Sequence, residues 1–253
     1  MQNILKREFP QVMGIINMSP DSFYSGSRCL SEAQFEETFG EMVANGADII
    51  DIGACSTRPG SSYITQEEEW DLLKPALKVV LKRFPSSIIS IDTFRSYIVE
   101  RAFDFVGDFI VNDISAGEED SNMLSKVAQF KLPYIAMHKR GTPQTMQSMC
   151  NYQNVTLEVK EYLANFVKKG EEMGIEELII DPGFGFAKNI EQNYQMLSQL
   201  SLFDIEDSRG KKVPLLVGLS RKGMIHKYLQ ITPQESLSAT CALELTALLN
   251  GAD

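Results

Sequence analysis

Four polar side chains stand where short apolar runs of this sequence end. Asp92, Asn112 and Asp181 each follow such a run at once, and Lys222 lies in the segment GLSRKG after another. A carboxylate accepts two parallel N–H hydrogen bonds, so two carboxylates and an amide suit the amidine-like edge of a flat heterocycle. Each hydrogen bond to a charged group contributes about 1.5–3 kcal/mol. The set predicts a site for a planar, nitrogen-rich ligand.

Each acidic residue also has a structural explanation on its own. Asp92 or Asp181 could simply cap the helix that follows its strand. This explanation weakens for the four positions together, because capping does not account for the amide and the lysine at equivalent places.

Two loops carry further candidate groups. In NMSPDSFYSGS, the length and the aromatic residues Phe23 and Tyr24 predict a lid that closes over a substrate. Asn17 at its root could supply an oxygen to Mg²⁺ or could only stabilise a turn. The loop ACSTRPGSS offers hydroxyls and the Arg58 guanidinium, which suit a phosphate, although it lacks the P-loop pattern.

Several chemistries are disfavoured by the motifs. The turn PGFGFAK does not have the dinucleotide-binding spacing, so no nicotinamide cofactor is expected. No nucleophile elbow is found, which disfavours an acyl-enzyme. His138 and His226 have no neighbouring residues at ligand spacing, and we expect structural roles for both.

Composition limits the partners. The chain of 253 residues has a net charge of −10, which disfavours a nucleic-acid partner. No segment approaches the length of a membrane span. The four cysteines are far apart in the sequence, which predicts a reduced, cytoplasmic protein.

The elements that must position these residues alternate regularly. Short apolar runs predict seven strands, at 12–16, 49–52, 88–91, 109–111, 133–137, 178–180 and 214–217. Amphipathic patterns predict seven helices, at 31–45, 66–84, 95–105, 121–130, 154–173, 190–200 and 233–250. The alternation predicts a parallel α/β fold, either a closed barrel or an open sheet. Polar clusters after all seven strands favour a TIM (β/α)8 barrel, which gathers the carboxyl ends of its strands at one mouth.

A repeated tetrapeptide concerns the eighth strand of that barrel. The sequence Asn-Gly-Ala-Asp stands at 45–48, before the second predicted strand, and again at 250–253. By analogy, an eighth strand is expected after Asp253. We therefore interpret residues 1–253 as a single barrel domain that lacks its last strand.

The same stretches, in this order, closely resemble the dihydropteroate synthase family of folate biosynthesis. The matching segments are GIINMSPDSF, DIGACSTRPGS, SIDTFR, VNDISAG, MHKRGTPQTMQ, IIDPGFGFAKN and GLSRKGMI. The resemblance implies the same barrel and a transferase that joins 6-hydroxymethyl-7,8-dihydropterin diphosphate to 4-aminobenzoate. The products are diphosphate and 7,8-dihydropteroate, and sulfonamides inhibit the reaction.

The resemblance also implies roles for single residues. Asn17 would contact Mg²⁺, and Asp21 and Arg58 would order around the reacting groups. The residues expected to hold the pterin are Asp92, Asn112, Met137, Asp181 and Lys222. The residues expected to shape the aminobenzoate pocket are Phe23, Thr57, Pro59, Phe186 and Ser220. We expect catalytic roles for Asp92, Lys222, Asp21 and Arg58, and a homodimer.

One departure from the family keeps two alternatives open. The family's Arg-x-His pair, which grips the diphosphate from strand eight, has no counterpart in these residues. A barrel that binds pterin without turnover is therefore one alternative. A pterin-binding methyltransferase is the other, although the loops NMSPDSFYSGS and STRPGS favour the synthase.

Overall fold

The computed structural model describes residues 10–19, 31–55, 64–142 and 144–253. The strands are β1 Met13–Asn17, β2 Ile49–Gly53, β3 Ile88–Asp92, β4 Ile110–Asp113, β5 Tyr134–Met137 and β6 Leu178–Asp181. The helices are α1 Glu32–Ala44, α2 Gln66–Arg83, α3 Ser96–Val106, α4 Met123–Phe130, α5 Val155–Glu172, α6 Ile190–Ser198, α7 Gly223–Leu229 and α8 Leu237–Leu249. Six predicted strands and the first six predicted helices are confirmed, with ends that differ by at most two residues.

The strands form one six-stranded sheet in chain order, from β1 to β6. The pairs β1–β2, β2–β3 and β3–β4 are parallel, and the register places Asn17 beside Gly53 and Asp92 beside Asn112. All five residues of β2 are buried, as the continuous apolar run predicts for a parallel strand covered on both faces.

The predicted seventh strand, at 214–217, is reduced to an isolated bridge between Leu215 and Ile180. Two backbone hydrogen bonds support it, from Ile180 N to Pro214 O at 3.0 Å and from Leu216 N to Ile180 O at 2.8 Å. Pro214 has no N–H to donate, which shortens the ladder that this run can build. Among the described residues, the sheet contains six strands and is not closed.

The last predicted helix begins later than its sequence signal indicates. Thr232 and Glu235 form a capping box just before the predicted start of this helix at 233, with Glu235 N donating to Thr232 Oγ1 at 3.3 Å. The next residues nevertheless make a turn, because the Ser236 hydroxyl donates to Pro233 O at 2.7 Å. The first helical hydrogen bond runs from Thr240 N to Ser236 O at 2.8 Å, so α8 begins at Leu237.

The two Asn-Gly-Ala-Asp segments have the same local structure. Asp48 N donates to Val12 O at 2.9 Å while its carboxylate accepts Val12 N at 3.0 Å. Asp253 makes the same two bonds to Leu215, each at 3.0 Å. The glycines have positive φ angles of 96° at Gly46 and 102° at Gly251, as a helix stop requires. In both copies the tetrapeptide is a joint that ends a helix and binds its aspartate to the backbone of an earlier apolar run, at Val12 or at Leu215.

The chain divides into two compact units. One contains the described parts of Met1–Asp113, with Gly117–Tyr134 and Met173–Glu177. Its core includes Phe39 of α1, whose ring lies 4.5 Å from that of Phe84. The other contains Ile114–Ala116, Ile135–Glu172 and Leu178–Asp253. Its core includes Val159 and Leu163, one turn apart on α5. The single-domain interpretation stays a prediction.

Candidate active site

In the first unit, Asp92 and Asn112 are neighbours at the carboxyl ends of β3 and β4. They are register partners and both are partly exposed. Gly53 at the end of β2 lies beside Asp92, and a Cβ added to it would stand 3.3 Å from Asp92 Oδ2. The glycine therefore gives the carboxylate room. The structure thus places Asp92 and Asn112 side by side at adjacent strand ends, and their predicted role in ligand binding stays a prediction.

A second carboxylate lies below this pair. Asp51 of β2 is buried, accepts a short hydrogen bond from the Ser90 hydroxyl, and is hydrogen-bonded to the Asn112 side chain. Because a carboxylate only accepts, the Asn112 amide nitrogen donates to it, and the Asn112 oxygen is the acceptor on the other side of the amide. Asp51 therefore orients Asn112.

Burial and like charges make Asp92 a strongly perturbed acid. Burial raises its pKa well above the ordinary value, and the nearby Asp51, Glu69 and Asp113 raise it further. Burial also raises the pKa of Asp51, while the hydrogen bonds from Ser90 and Asn112 oppose that shift. N–H donors or a positive charge brought close to Asp92 would oppose this rise in its pKa, because both stabilise the carboxylate.

Asn17 ends β1 in the same unit. Its Oδ1 accepts the backbone N–H of Ser19 at 2.9 Å, which is the turn-stabilising role that the sequence also allowed. An amide oxygen has two lone pairs, so this bond does not use up its acceptor capacity. Asn17 can therefore serve both roles.

In the second unit, Asp181 and Lys222 meet the turn that follows β6. Asp181 Oδ1 accepts Gly183 N at 2.7 Å, and Lys222 Nζ donates to Phe184 O in a short hydrogen bond. The Lys222 nitrogen lies 5.0 Å from the centre of the Phe186 ring. Asp181, Phe186 and Lys222 are all partly exposed. The structure brings these three predicted residues together.

Opposite charges moderate the pKa values in this group. Burial raises the pKa of Asp181, and Lys222 partly opposes the shift. Burial lowers the pKa of Lys222, and Asp181 followed by Glu244 opposes it. Each of the two groups therefore favours the charged form of the other.

Helix α8 holds the loop that carries Lys222. Glu244 Oε1 accepts Leu219 N at 3.1 Å, and Thr240 Oγ1 accepts Arg221 N at 3.2 Å. Arg221 has a positive φ of 54°, so the loop bends sharply just before Lys222. Ser220 lies on this loop and is exposed, whereas Met137 at the end of β5 is buried.

Five predicted site residues lie outside the described residues: Asp21, Phe23, Thr57, Arg58 and Pro59. Their roles stay predictions. So does the convergence of the first unit's pair and the second unit's group on one ligand.

Comparison with known proteins identifies the relatives of this chain. The family profile described as "pterin binding enzyme" matches residues 13–253. Dihydropteroate synthase of Escherichia coli K12 is 38% identical over 245 residues, which cover 96% of this chain and 84% of that protein.

The chain belongs to the pterin-binding enzyme family.

Solved structures of this family have the same fold. The Yersinia pestis dihydropteroate synthase, in complex with a sulfonamide drug, superposes with a TM-score of 0.87 at 33% identity, covering 96% of this chain and 86% of that one. The Xanthomonas albilineans dihydropteroate synthase with 4-aminobenzoic acid gives a TM-score of 0.84 at 33% identity, covering 97% and 86%. The predicted resemblance and the (β/α)8-barrel fold class are confirmed.

Sequence reasoning missed the groups behind the site in this pterin-binding enzyme. Asp51 stands inside the apolar run IIDIG, and a charged residue within a buried strand was the signal that could have found it. Lys188 was noted only as part of a glycine-rich turn, yet it is 3% exposed. Lysine is rarely buried unless it has polar partners, so its place in the sequence offered no reason to expect burial. Its partners are visible only in the structure.

Proposed function

We propose that this chain is a dihydropteroate synthase. It joins 6-hydroxymethyl-7,8-dihydropterin diphosphate to 4-aminobenzoate and releases diphosphate, as a transferase of folate biosynthesis. The proposal rests above all on 38% identity to the Escherichia coli enzyme across 96% of this chain. The sulfonamide complex of the Yersinia pestis relative supports sulfonamides as inhibitors.

Residue roles follow from the chemistry of each group. In the first unit, the Asp92 carboxylate and the Asn112 oxygen, which Asp51 orients, accept N–H bonds from the pterin. In the second unit, Asp181 accepts further pterin N–H groups, Lys222 donates to a pterin acceptor, and Met137 packs beside the ring. Phe186 and Ser220 contact the aminobenzoate, together with Phe23, Thr57 and Pro59. Asp21 and Arg58 belong to the loops that order around the reacting groups.

In the reaction, the bond between the pterin methylene and the diphosphate oxygen breaks, and the oxygen keeps the electron pair. The pterin ring shares the resulting positive charge, and ionised Asp92 stabilises it. The aniline nitrogen then forms the new C–N bond and loses a proton to water, so no enzyme base is required. Holding this weak nucleophile in a near-attack position lowers the activation barrier, by at most about 7–11 kcal/mol.

We propose Mg²⁺ as the cofactor. When bound, the ion would screen the negative charge of the departing diphosphate. Within the part of the chain that the structure describes, no group of three or more His, Cys, Asp or Glu is arranged to hold a metal. A single protein oxygen from Asn17, completed by water and substrate oxygens, fits the ordinary coordination of Mg²⁺.

The decisive experiment is turnover of the pterin diphosphate with 4-aminobenzoate and Mg²⁺, followed by product detection and by inhibition with a sulfonamide. Formation of dihydropteroate supports the proposal. Pterin binding without product would replace it with the binding-only alternative. Pterin binding with no thermal shift from 4-aminobenzoate, in the presence of diphosphate and Mg²⁺, would favour the methyltransferase.

Assembly and location are proposed on separate grounds. We infer a homodimer through α8, because Leu237, Leu245 and Leu249 of this helix are exposed.

We infer a cytoplasmic location, because Cys55, Cys150 and Cys241 are free thiols. No helix of the described residues is long and apolar enough to cross a membrane.

A further inference from the structure

A buried lysine lies behind the turn that follows β6. Lys188 is 3% exposed, and its Nζ lies 2.9 Å from Phe186 O, 3.0 Å from Gly183 O and 3.0 Å from His138 Nδ1. His138 O stands further off, at 3.5 Å. An ammonium group has three N–H donors, and three close acceptors surround this one. Lys188 therefore joins both ends of the turn to the end of β5.

This arrangement carries an electrostatic cost. Burial, helped by the charges of Lys222 and Arg140 and opposed by Asp181, lowers the pKa of Lys188 to about 7. Burial, followed by the charges of Lys188 and Arg140, lowers the pKa of His138 to about 2. The imidazole is therefore neutral, and its Nδ1 accepts the hydrogen bond from Lys188. A methionine would fill the same space without this cost, which indicates that the charge serves the turn.

The turn has a shape that needs such support. Gly183, Gly185 and Ala187 have positive φ angles of 70°, 83° and 50°. Its backbone carbonyls are divided between two lysines, since Gly183 and Phe186 face Lys188 whereas Phe184 accepts from Lys222. Gly183 also packs so closely that an added Cβ would lie 2.0 Å from His138 O.

Asn193 of α6 supports the turn from another direction. Its Oδ1 accepts Gly185 N at 2.7 Å, and its Nδ2 donates to Lys188 O at 3.0 Å. These bonds fix the backbone on both sides of Phe186, whose side chain is partly exposed. The lysine and the asparagine thus hold a strained loop in one conformation.

We propose that Lys188 is a positioning residue: its ammonium group locks the turn of residues 182–187 so that the Phe186 ring and the Lys222 side chain are held where substrate meets them. The inference rests on the proposed function for its kinetic consequence. The locking of the turn itself can be measured without substrate.

The test compares Lys188→Met with Lys168→Met, an exposed lysine of α5 in the same unit. In hydrogen–deuterium exchange, Lys188→Met should speed exchange of the Gly183, Gly185 and Phe186 amides by about tenfold or more, while the Ile180 amide of β6 keeps its rate. Lys168→Met should leave all four unchanged. Unchanged exchange throughout the turn in Lys188→Met would overturn the proposal, whether or not the protein turns over substrate.

Kinetics separate positioning from loss of folded protein. Lys188→Met should raise KM for the pterin diphosphate by about tenfold with a smaller change in kcat, because a misplaced turn weakens binding. A variant that merely unfolds in part would lower kcat at constant KM. Faster exchange together with both substrate KM values within about twofold of the parent would also overturn the proposed role. If the parent protein makes no dihydropteroate, the proposed function fails and the exchange experiment alone decides the inference.

Discussion

Asp92 combines two properties that oppose each other in a folded protein. Burial and the charges of Asp51, Glu69 and Asp113 raise the pKa of its carboxyl group, so its negative charge is costly before a ligand arrives. The same charge is what a pterin and a developing carbocation would neutralise. The residue therefore lowers the stability of the free protein in return for chemistry on the substrate, and substitutions should separate these effects.

Replacing Asp92 by Asn should raise stability at neutral pH and remove activity. The raised pKa means that the folded state holds the proton more tightly than the unfolded state, so ionisation destabilises the fold as pH rises above about 4. We expect a melting temperature about 2–4 °C higher at pH 7.5, and a kcat/KM lower by about 100-fold or more.

The stabilisation should shrink as the pH approaches about 4, where Asp92 is protonated in both states. Asp71→Asn, at an exposed position of α2, is the matched control and should change neither quantity. A destabilised Asp92→Asn at neutral pH would show that the carboxylate contributes net stability instead.

Ligand affinity should depend on pH through the same group. Ionised Asp92 accepts two N–H bonds whereas the protonated form accepts fewer, so the affinity for 6-hydroxymethylpterin should increase as pH rises. Isothermal titration at several pH values measures this slope. Asp92→Asn should flatten it, and an equally steep slope in that variant would assign the dependence to Asp181, whose pKa is also raised.

Magnesium removal tests the assignment of Asn17. Chelation should stop turnover, and added Mg²⁺ should restore it. Asn17→Ala should raise the Mg²⁺ concentration for half-maximal activity by about tenfold, which corresponds to about 1.4 kcal/mol for one lost ligand. An unchanged Mg²⁺ requirement in this variant would remove Asn17 from the metal site.

Among the larger elements, the turn after β6 is constrained by backbone geometry at several consecutive positions, with positive φ angles at Gly183, Gly185 and Ala187. It joins a strand end that carries Asp181 to the cap of α6 at Asn189, and it must reverse direction within a few residues. Close approach to His138 and positive φ angles both act on Gly183, and the two effects can be measured apart.

Gly183→Ala should destabilise the protein by considerably more than Gly210→Ala. Both glycines have positive φ, at 70° and 72°, but a Cβ at Gly210 would meet nothing within 4 Å. Gly210→Ala should therefore cost only about 1 kcal/mol for its backbone conformation, whereas Gly183→Ala adds a clash with His138 O. Urea unfolding measures the difference, and equal costs would show that the turn moves away freely.

The sequence predicted the elements and the residues at their ends because both follow from local patterns. Apolar runs predicted β1 to β6. The polar residues that follow three of these runs, Asp92, Asn112 and Asp181, were predicted as site residues from their positions at the carboxyl ends. The contact between Lys188 and His138 joins residues 50 positions apart, which no local pattern contains. The start of α8 was wrong because a complete capping box at Thr232 was followed by a competing bond from the Ser236 hydroxyl.

For the protein as a whole, charge and assembly are the remaining questions. The net charge of −10 cannot attract an anionic pterin diphosphate over long distances, so we expect local cations such as Lys222 to hold it. The leucines of α8 offer an apolar surface in the second unit, and exposed leucines elsewhere provide a comparison.

Leu245→Glu should convert the proposed dimer to a monomer. Leu245 is 57% exposed on α8, and Leu157 is 53% exposed on α5, so Leu157→Glu is a control of matched size and exposure. Light scattering after gel filtration should give twice the chain mass for the parent and for Leu157→Glu, and one chain mass for Leu245→Glu. A parent that is monomeric at micromolar concentration would contradict the dimer.

Because the Asn-Gly-Ala-Asp joint occurs twice, the same glycine substitution can be measured at two places in one chain. Gly46 and Gly251 have the same sequence neighbours, nearly equal φ angles and no atom within 4 Å of an added Cβ. Alanine at either position isolates the cost of a left-handed backbone, about 1 kcal/mol, from every packing effect. The two copies differ in that Lys212 Nζ also donates to Gly251 O at 3.0 Å and to Asp253 Oδ2 at 2.9 Å. A larger cost at Gly251 than at Gly46 would then measure what these added bonds contribute to that joint.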